Sequence, residues 1–184
     1  NVPSYCHARD VAVDVPEWRS EGLAAALSAA VPGAGQIYSG ESNGLWFAFA
    51  ELLGWTANRI YLHKAHTERD HSMSFAGSPT DSASAWSFER WSAATGMDTD
   101  QLELIWASDR QAVYELIWRD AIYLSGWSGV PADTRDVFLG LREGAELQYG
   151  RARLAGYALW LNHLLAAVDA LRAVRFHNLT LQNN

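Results

Sequence analysis

Three groups of residues have the types and spacing to do chemistry. The densest is His63-Lys64-Ala65-His66-Thr67-Glu68-Arg69-Asp70-His71. His63 and His66 stand one helical turn apart, and Glu68, Asp70 or His71 could complete a metal site. The His-Glu-x-x-His order of zinc hydrolases is missing. A solvated helix end explains the same residues, because cations favour the C-terminal end of the helix dipole. The second group is Glu51, His163 and Asp169, an acid/base set if folding brings them into one pocket. The plainer reading is a polar network among packed helices. The third is the run Pro32-Gly33-Ala34-Gly35-Gln36-Ile37-Tyr38-Ser39-Gly40. A phosphate loop would end in Gly-Lys-Ser/Thr after a strand, and neither is found here. A helix-breaking turn fits instead. Cys6 stands alone in the N-terminal lead-in, and Asn178-Leu179-Thr180 matches a glycosylation sequon that arises readily by chance. No catalytic residue, cofactor site or metal site is assigned, and the chain reads as a non-enzyme.

The composition narrows the classes. The chain has 184 residues, a formal net charge of -7, 49% hydrophobic and 19% charged residues. This length predicts one domain with a real core. An acidic balance, with a pI near 5.3 and no basic run, excludes nucleic acid as the main partner. One cysteine excludes an intrachain disulfide and a cysteine-based zinc site. Nine tryptophans are the unusual feature. Tryptophan concentrates at membrane interfaces, protein interfaces and flat-ligand sites. The sequence starts at Asn1 rather than Met, which suits a removed leader such as a signal peptide.

These residues need elements to position them. Residues 1–16 read as an extended lead-in, with Val11, Val13 and Val15 alternating as in a short strand. A helix is expected over 17–31, stopped by Pro32-Gly33. A second runs from 42 to 66, with an almost wholly apolar centre from Leu45 to Ala57. A polar loop is expected over 67–84, then a short helix over 85–95 ended by Gly96. Asp100-x-x-Glu103 resembles a capping box and opens a helix reaching Leu124, with Trp106 on its apolar stripe. Asp133 caps a further helix that Gly144 and Gly150 should kink or divide. The last helix covers 151–177, followed by a frayed polar tail over 178–184. The fold class is all-α: a single-domain helical bundle of residues 17–177, in which a Pro/Gly-broken hairpin packs on a long C-terminal helix.

The apolar runs Leu45–Ala57 and Leu154–Val168 fall short of the ~20 residues of a spanning helix. Each also carries polar residues: Glu51 in one, Asn162 and His163 in the other, with Asp169 just beyond. Trp46, Trp55, Tyr61, Tyr157 and Trp160 sit where interface anchors would, flanked by Arg59, Arg151 and Arg153. In the turn, Pro32 ends a helix and Gly33 and Gly35 allow a sharp, close return. Gln36 and Tyr38 are expected to satisfy freed backbone groups, and Gly40 to open the next helix. Asn162, His163 and Asp169 then face the hairpin, with Asp169 pairing to Arg172 or Arg59. Trp86, Trp91 and Trp127 flank loops and read either as core or as exposed interface anchors.

Two segments together, Val31 to Gly40 and Leu161-Asn162-His163-Leu164-Leu165-Ala166-Ala167-Val168-Asp169-Ala170, resemble a bacterial envelope family of unknown function. Its members carry a Pro-Gly-Leu-Gly-Gln-x-Tyr-x-Gly motif and a late Asn…Val-Asp-Ala helix. The resemblance covers about 20 residues by motif, and this chain has Ala34 where Leu or Met is usual. It implies a small exported or membrane-associated protein and brings no catalytic residues. The resulting expectation is a membrane-associated structural or accessory subunit in the bacterial cell envelope, on the periplasmic side. Its partners are other subunits of a membrane complex, a bioenergetic one such as a photosynthetic assembly being one version, together with the bilayer interface. The alternative is a soluble helical protein that binds lipid or a small apolar ligand. An enzyme using Glu51, His163 and Asp169 comes third.

Overall fold

A computed structural model describes residues 17–182. The expected extended stretch at Val11–Val15 lies outside them. The described chain is all-α: α1 Glu21–Ala30, α2 Ala34–Tyr38, α3 Gly44–Ala76, α4 Phe88–Thr95, α5 Asp100–Ser108, α6 Arg110–Arg119, a 3₁₀ turn Ala121–Gly126, and α7 Pro131–Gln182. They form two compact units. One comprises the described residues up to Gly54 together with those from Ala158, and the other is Trp55–Tyr157.

Several expected boundaries move, each for a local reason. The polar stretch after His66 is not a loop, because α3 continues through it for 33 residues. Its Glu, Arg, His and Ser side chains are tolerated on a solvated helix. The helix stops where Gly77 takes a left-handed φ of 74° and its N–H returns to Met73 O at 3.0 Å, a glycine stop. The expected helix from Asp100 to Leu124 is three pieces. Asp109 divides it by accepting from the N–H groups of Gln111 and Ala112 at 3.0 and 3.2 Å, and Asp120 repeats the device at Ile122 N. The cap of α5 is Thr99, not Asp100, and its hydroxyl donates to Glu103 at 2.6 Å. Around Asp133 and Gly150 the two expected helices are one, α7, of 52 residues. Pro131 occupies its first position, where a missing N–H costs nothing. Gly144 and Gly150 do not break it: each costs ~1 kcal/mol against Ala, which a helix packed along its length absorbs. The tail is also helical to Gln182. Asn178 is buried there, accepting from Arg19 N at 3.0 Å and donating to Arg19 O at 2.8 Å.

The core of the second unit is aromatic. Trp86, Trp91, Trp127, Phe88, Phe138 and Ile117 are all buried within it. This settles the two readings of Trp86, Trp91 and Trp127: they are core, not interface anchors. Their indoles fill the volume between short elements that cannot bury one another alone. Two of their N–H groups are also used, Trp86 Nε1 donating to Tyr123 O at 2.9 Å and Trp91 Nε1 to Ile122 O at 3.0 Å. Trp86 and Trp127 lie on an antiparallel backbone bridge, with Ser87 N to Gly126 O at 3.1 Å and Ser128 N to Ala85 O at 2.8 Å. A Cβ on Gly126 would run into the Trp86 ring. Arg142, almost fully buried, pairs with Glu115 and lies 4.9 Å over the Trp118 ring. Trp106 is half-buried against this core, its ring 5.6 Å from Tyr114. Tyr114 donates to Gly77 O at 2.8 Å, and burial pushes its phenol above the ordinary range.

Trp86→Ala is expected to destabilise the protein by about 3–5 kcal/mol, as large core deletions do. Trp46→Ala, at a position 75% exposed, should change stability by less than about 0.5 kcal/mol. Denaturant unfolding followed by circular dichroism checks both, and equal effects would contradict this packing.

Candidate functional site

The chemically distinctive region is the first unit. Val31 closes α1 by donating its N–H to Leu27 O at 2.7 Å, and Gly33 enters α2 with a left-handed φ of 96°. Gly33 and Gly44 face each other so closely that a Cβ on either would strike the other's backbone. At Gly35 an added Cβ would strike Ala24 O and come within 2.7 Å of both Ala170 Cβ and Ser28 Oγ. Glycine is therefore required there for α2 to lie against α1 and α7. Gly40, at φ 80°, ends the turn beneath the Arg19 guanidinium.

That approach brings polar side chains inward. Gln36 is fully buried. Its amide donates to Ala166 O at 2.9 Å and to Asp169 Oδ2 at 3.1 Å, and accepts from Ser28 Oγ at 2.8 Å. Ser28 Oγ in turn accepts from Gly35 N at 2.9 Å. Asn43 adds a second amide to Asp169 Oδ2 at 3.3 Å. Further along, Asn162 Nδ2 donates to Phe47 O and to Glu51 Oε2, both at 3.0 Å. His163 spans 2.7 Å from Nδ1 to Ala29 O and 3.2 Å from Nε2 to Glu51 Oε1. Glu51, Asn162 and His163 thus meet in one cluster, and Gln36 and Asp169 in another. These pairings run α3 and α7 antiparallel within the unit.

Some expected partners differ. Asp169 pairs with neither Arg172 nor Arg59. The hairpin amides of Gln36 and Asn43 reach it instead, while Arg172 lies 5.4 Å over the Phe176 ring and Arg59 is exposed in the second unit. Gln36 serves a carbonyl of α7 rather than the turn's own backbone, and Tyr38 OH accepts from Ser20 N at 3.3 Å. At the open end of α1, Arg175 holds the Glu21 carboxyl below the usual carboxylate range by a hydrogen bond of 2.8 Å.

The outside of the unit is apolar. On α3, Leu45, Trp46, Phe49, Leu52 and Leu53 are exposed, and on α7, Trp160, Leu161, Leu164, Leu165 and Val168. Trp46 and Trp160 each reach 75%. Their helical spacing puts them on continuous stripes. An apolar surface of this extent is rare on a protein surrounded by water. By length and composition α7 is the one described helix able to cross a bilayer, with a mean hydropathy of 1.3 over an 18-residue window of which 17% is buried. Trp55 and Tyr157 are exposed as well. Tyr61 is half-buried, with the Arg151 guanidinium 5.9 Å from its ring centre.

The remaining candidates do not assemble. No group of three His, Cys, Asp or Glu able to hold a metal occurs among the described residues. His66 Nδ1 meets the Tyr149 hydroxyl and Arg69, both at 3.2 Å. Gly40-Glu41-Ser42-Asn43-Gly44 fits the Gly-x-Ser-x-Gly pattern of hydrolase nucleophile elbows. An elbow needs a strand before the serine, and here a short helix precedes it and Ser42 is exposed in a turn. The ring nitrogens of His163 meet Ala29 O and Glu51. In the second unit a groove of about 900 Å³ is rimmed by Asp109, Glu115, Arg119 and Asp120. All four charges are already engaged: Asp109 and Asp120 as helix caps, Glu115 with Arg142, and Arg119 with Glu115 at 3.7 Å. Compared with protein families, curated proteins and solved structures, the chain matches none.

Gln36→Leu would remove the side-chain donor to Ala166 O and one amide from Asp169, and would leave Ser28 Oγ without its acceptor. It should cost about 1–3 kcal/mol, read as a lowered unfolding midpoint. A midpoint unchanged within error would remove Gln36 from this role.

Proposed function

We propose that this protein is a non-enzymatic, membrane-associated structural or accessory subunit of a larger membrane protein complex in the bacterial cell envelope, on the periplasmic side. The observation that carries this reading is the polarity of the first unit. Its hydrogen-bonding side chains point inward and its large apolar side chains outward, the reverse of a water-soluble bundle. In lipid no water is present to satisfy polar groups, so they must be paired internally. Gln36, Asn162 and Asp169 meet that condition. Small residues at the helix contacts, Gly35 against Ala170 and Gly33 against Gly44, are the usual means of close packing where hydrophobic burial gives no drive.

Length argues for protein partners as well as lipid. At a rise of ~1.5 Å per residue, Leu45–Ala57 covers roughly 20 Å of a hydrocarbon layer ~30 Å thick. An apolar stretch this short is better accommodated against other subunits than alone in a bilayer. The Trp-rich second unit, with Trp86, Trp91 and Trp127 buried, supplies a folded body that needs no apolar surroundings.

The deciding experiment expresses the full chain in a bacterium, separates membrane from soluble fractions, and floats the purified protein with liposomes. We expect membrane recovery resistant to carbonate, flotation with vesicles, and a shift to the soluble fraction on Leu161→Glu with Leu164→Glu. A monodisperse chain in detergent-free buffer that does not float would overturn the proposal.

A further inference from the structure

We propose that Glu51 and His163 form a proton-binding site that latches the C-terminal end of α1 onto α3 and α7. The inference concerns the same unit as the proposed membrane face, but its chemistry stands without lipid.

The argument is one of hydrogen-bond stoichiometry. Ala29 O can only accept, so His163 Nδ1, 2.7 Å away, carries a hydrogen. The other ring nitrogen, Nε2, lies 3.2 Å from Glu51 Oε1. With no further proton, a nitrogen lone pair would face a carboxylate oxygen, and the contact would be repulsive. The pair closes only with one more proton, whether written as imidazolium and carboxylate or as imidazole and carboxylic acid. This proton is exchangeable and belongs to the pair. Asn162 donates to Glu51 Oε2 and to Phe47 O, which fixes the carboxylate towards the ring.

The place in the fold gives the proton a task. Ala29 is in the last turn of α1, where carbonyls lack helical partners and the negative end of the dipole sits. A protonated His163 satisfies that carbonyl and carries the positive charge this end favours. It is only 27% exposed and Glu51 18%, in a unit otherwise apolar outside. The other titratable groups on the helical segments of this unit are already engaged. Glu21 of α1 pairs with Arg175, Tyr38 of α2 accepts from Ser20 N, and Asp169 of α7 is held by Gln36 and Asn43. Arg172 stacks on Phe176, and His177 meets Glu17 O at 3.1 Å. Ionisable residues inside membrane segments are costly and mark functional positions.

The sign follows. Protonation closes the latch and adds stability at low pH, which is lost as pH rises and the pair gives up its proton. The α1–α2 hairpin then loosens from α3 and α7. The test is hydrogen exchange by mass spectrometry on the full chain in detergent micelles, corrected for intrinsic rates. In the native chain, protection of the α1–α2 amides should fall about tenfold or more between buffers of about pH 5 and about pH 8. Glu51→Gln places an amide donor opposite a neutral Nε2, so it should stay closed and lose the pH dependence. His163→Ala should be open at every pH, and if it does not fold, Glu51→Gln carries the test. Native protection that is flat with pH, or a Glu51→Gln chain with the native slope, would overturn the proposal. Liposome flotation is read separately, so failure of the membrane reading and failure of the latch are distinct results.

Discussion

The first unit depends on the buried amide of Gln36. It is the point at which α1, α2 and α7 meet, through Ser28, the α2 backbone and the Ala166 carbonyl with Asp169. A buried amide is tolerable only when its donors and acceptors are matched. Matching them requires α2 to approach within contact of Ala24 and Ala170, and only glycine at position 35 allows it. The polar pairing and the tight turn are therefore one constraint. The same constraint explains why the apolar side chains of α3 and α7 point outward. The interior positions are taken by amides, carboxylates and small residues, so leucine and tryptophan have nowhere else to go.

The second unit solves a different problem. Its elements α4, α5, α6 and the 3₁₀ turn are short and poor at burying one another, so large aromatic rings supply the missing volume. Indole N–H groups then donate to carbonyls of the 3₁₀ turn, Trp86 to Tyr123 O and Trp91 to Ile122 O. Arg90 works alongside them, donating to Gly126 O at 3.1 Å and to Ser82 O at 2.5 Å. Tryptophan thus has two uses in one chain. Trp86, Trp91 and Trp127 are structural fillers, while Trp46 and Trp160 stand exposed on apolar stripes. The composition reports nine of them but not which use each serves.

Two physical regimes on one chain suit a protein that works at a boundary between media. One unit is held by internal polar pairing beneath an apolar exterior, the other by an ordinary apolar core. Under the proposed function the former meets lipid or partner helices and the latter meets water. The Glu51–His163 pair adds a titratable element to the unit least able to tolerate an unpaired charge, which makes its proton an effective control on how the hairpin is held.

Several features were legible in the sequence because their causes are local. The Pro32–Gly40 turn follows from Pro and Gly backbone preferences, and the helical class from the spacing of apolar residues. Glu51, Asn162, His163 and Asp169 stood out as isolated polar residues in apolar runs, and a polar network was the natural reading. Other features were not local. The length of α3 past His66 and the continuity of α7 through Gly144 and Gly150 depend on what those helices pack against, which propensity does not record. Asp169 had Arg172 one turn along the helix and Arg59 across the bundle as expected partners, yet it meets Gln36 and Asn43, more than 120 positions away. Whether a tryptophan is buried or exposed depends on which short elements surround it. The residue types determined which groups need partners, and only the tertiary structure decided the pairing, because hydrogen bonds form between neighbours in space.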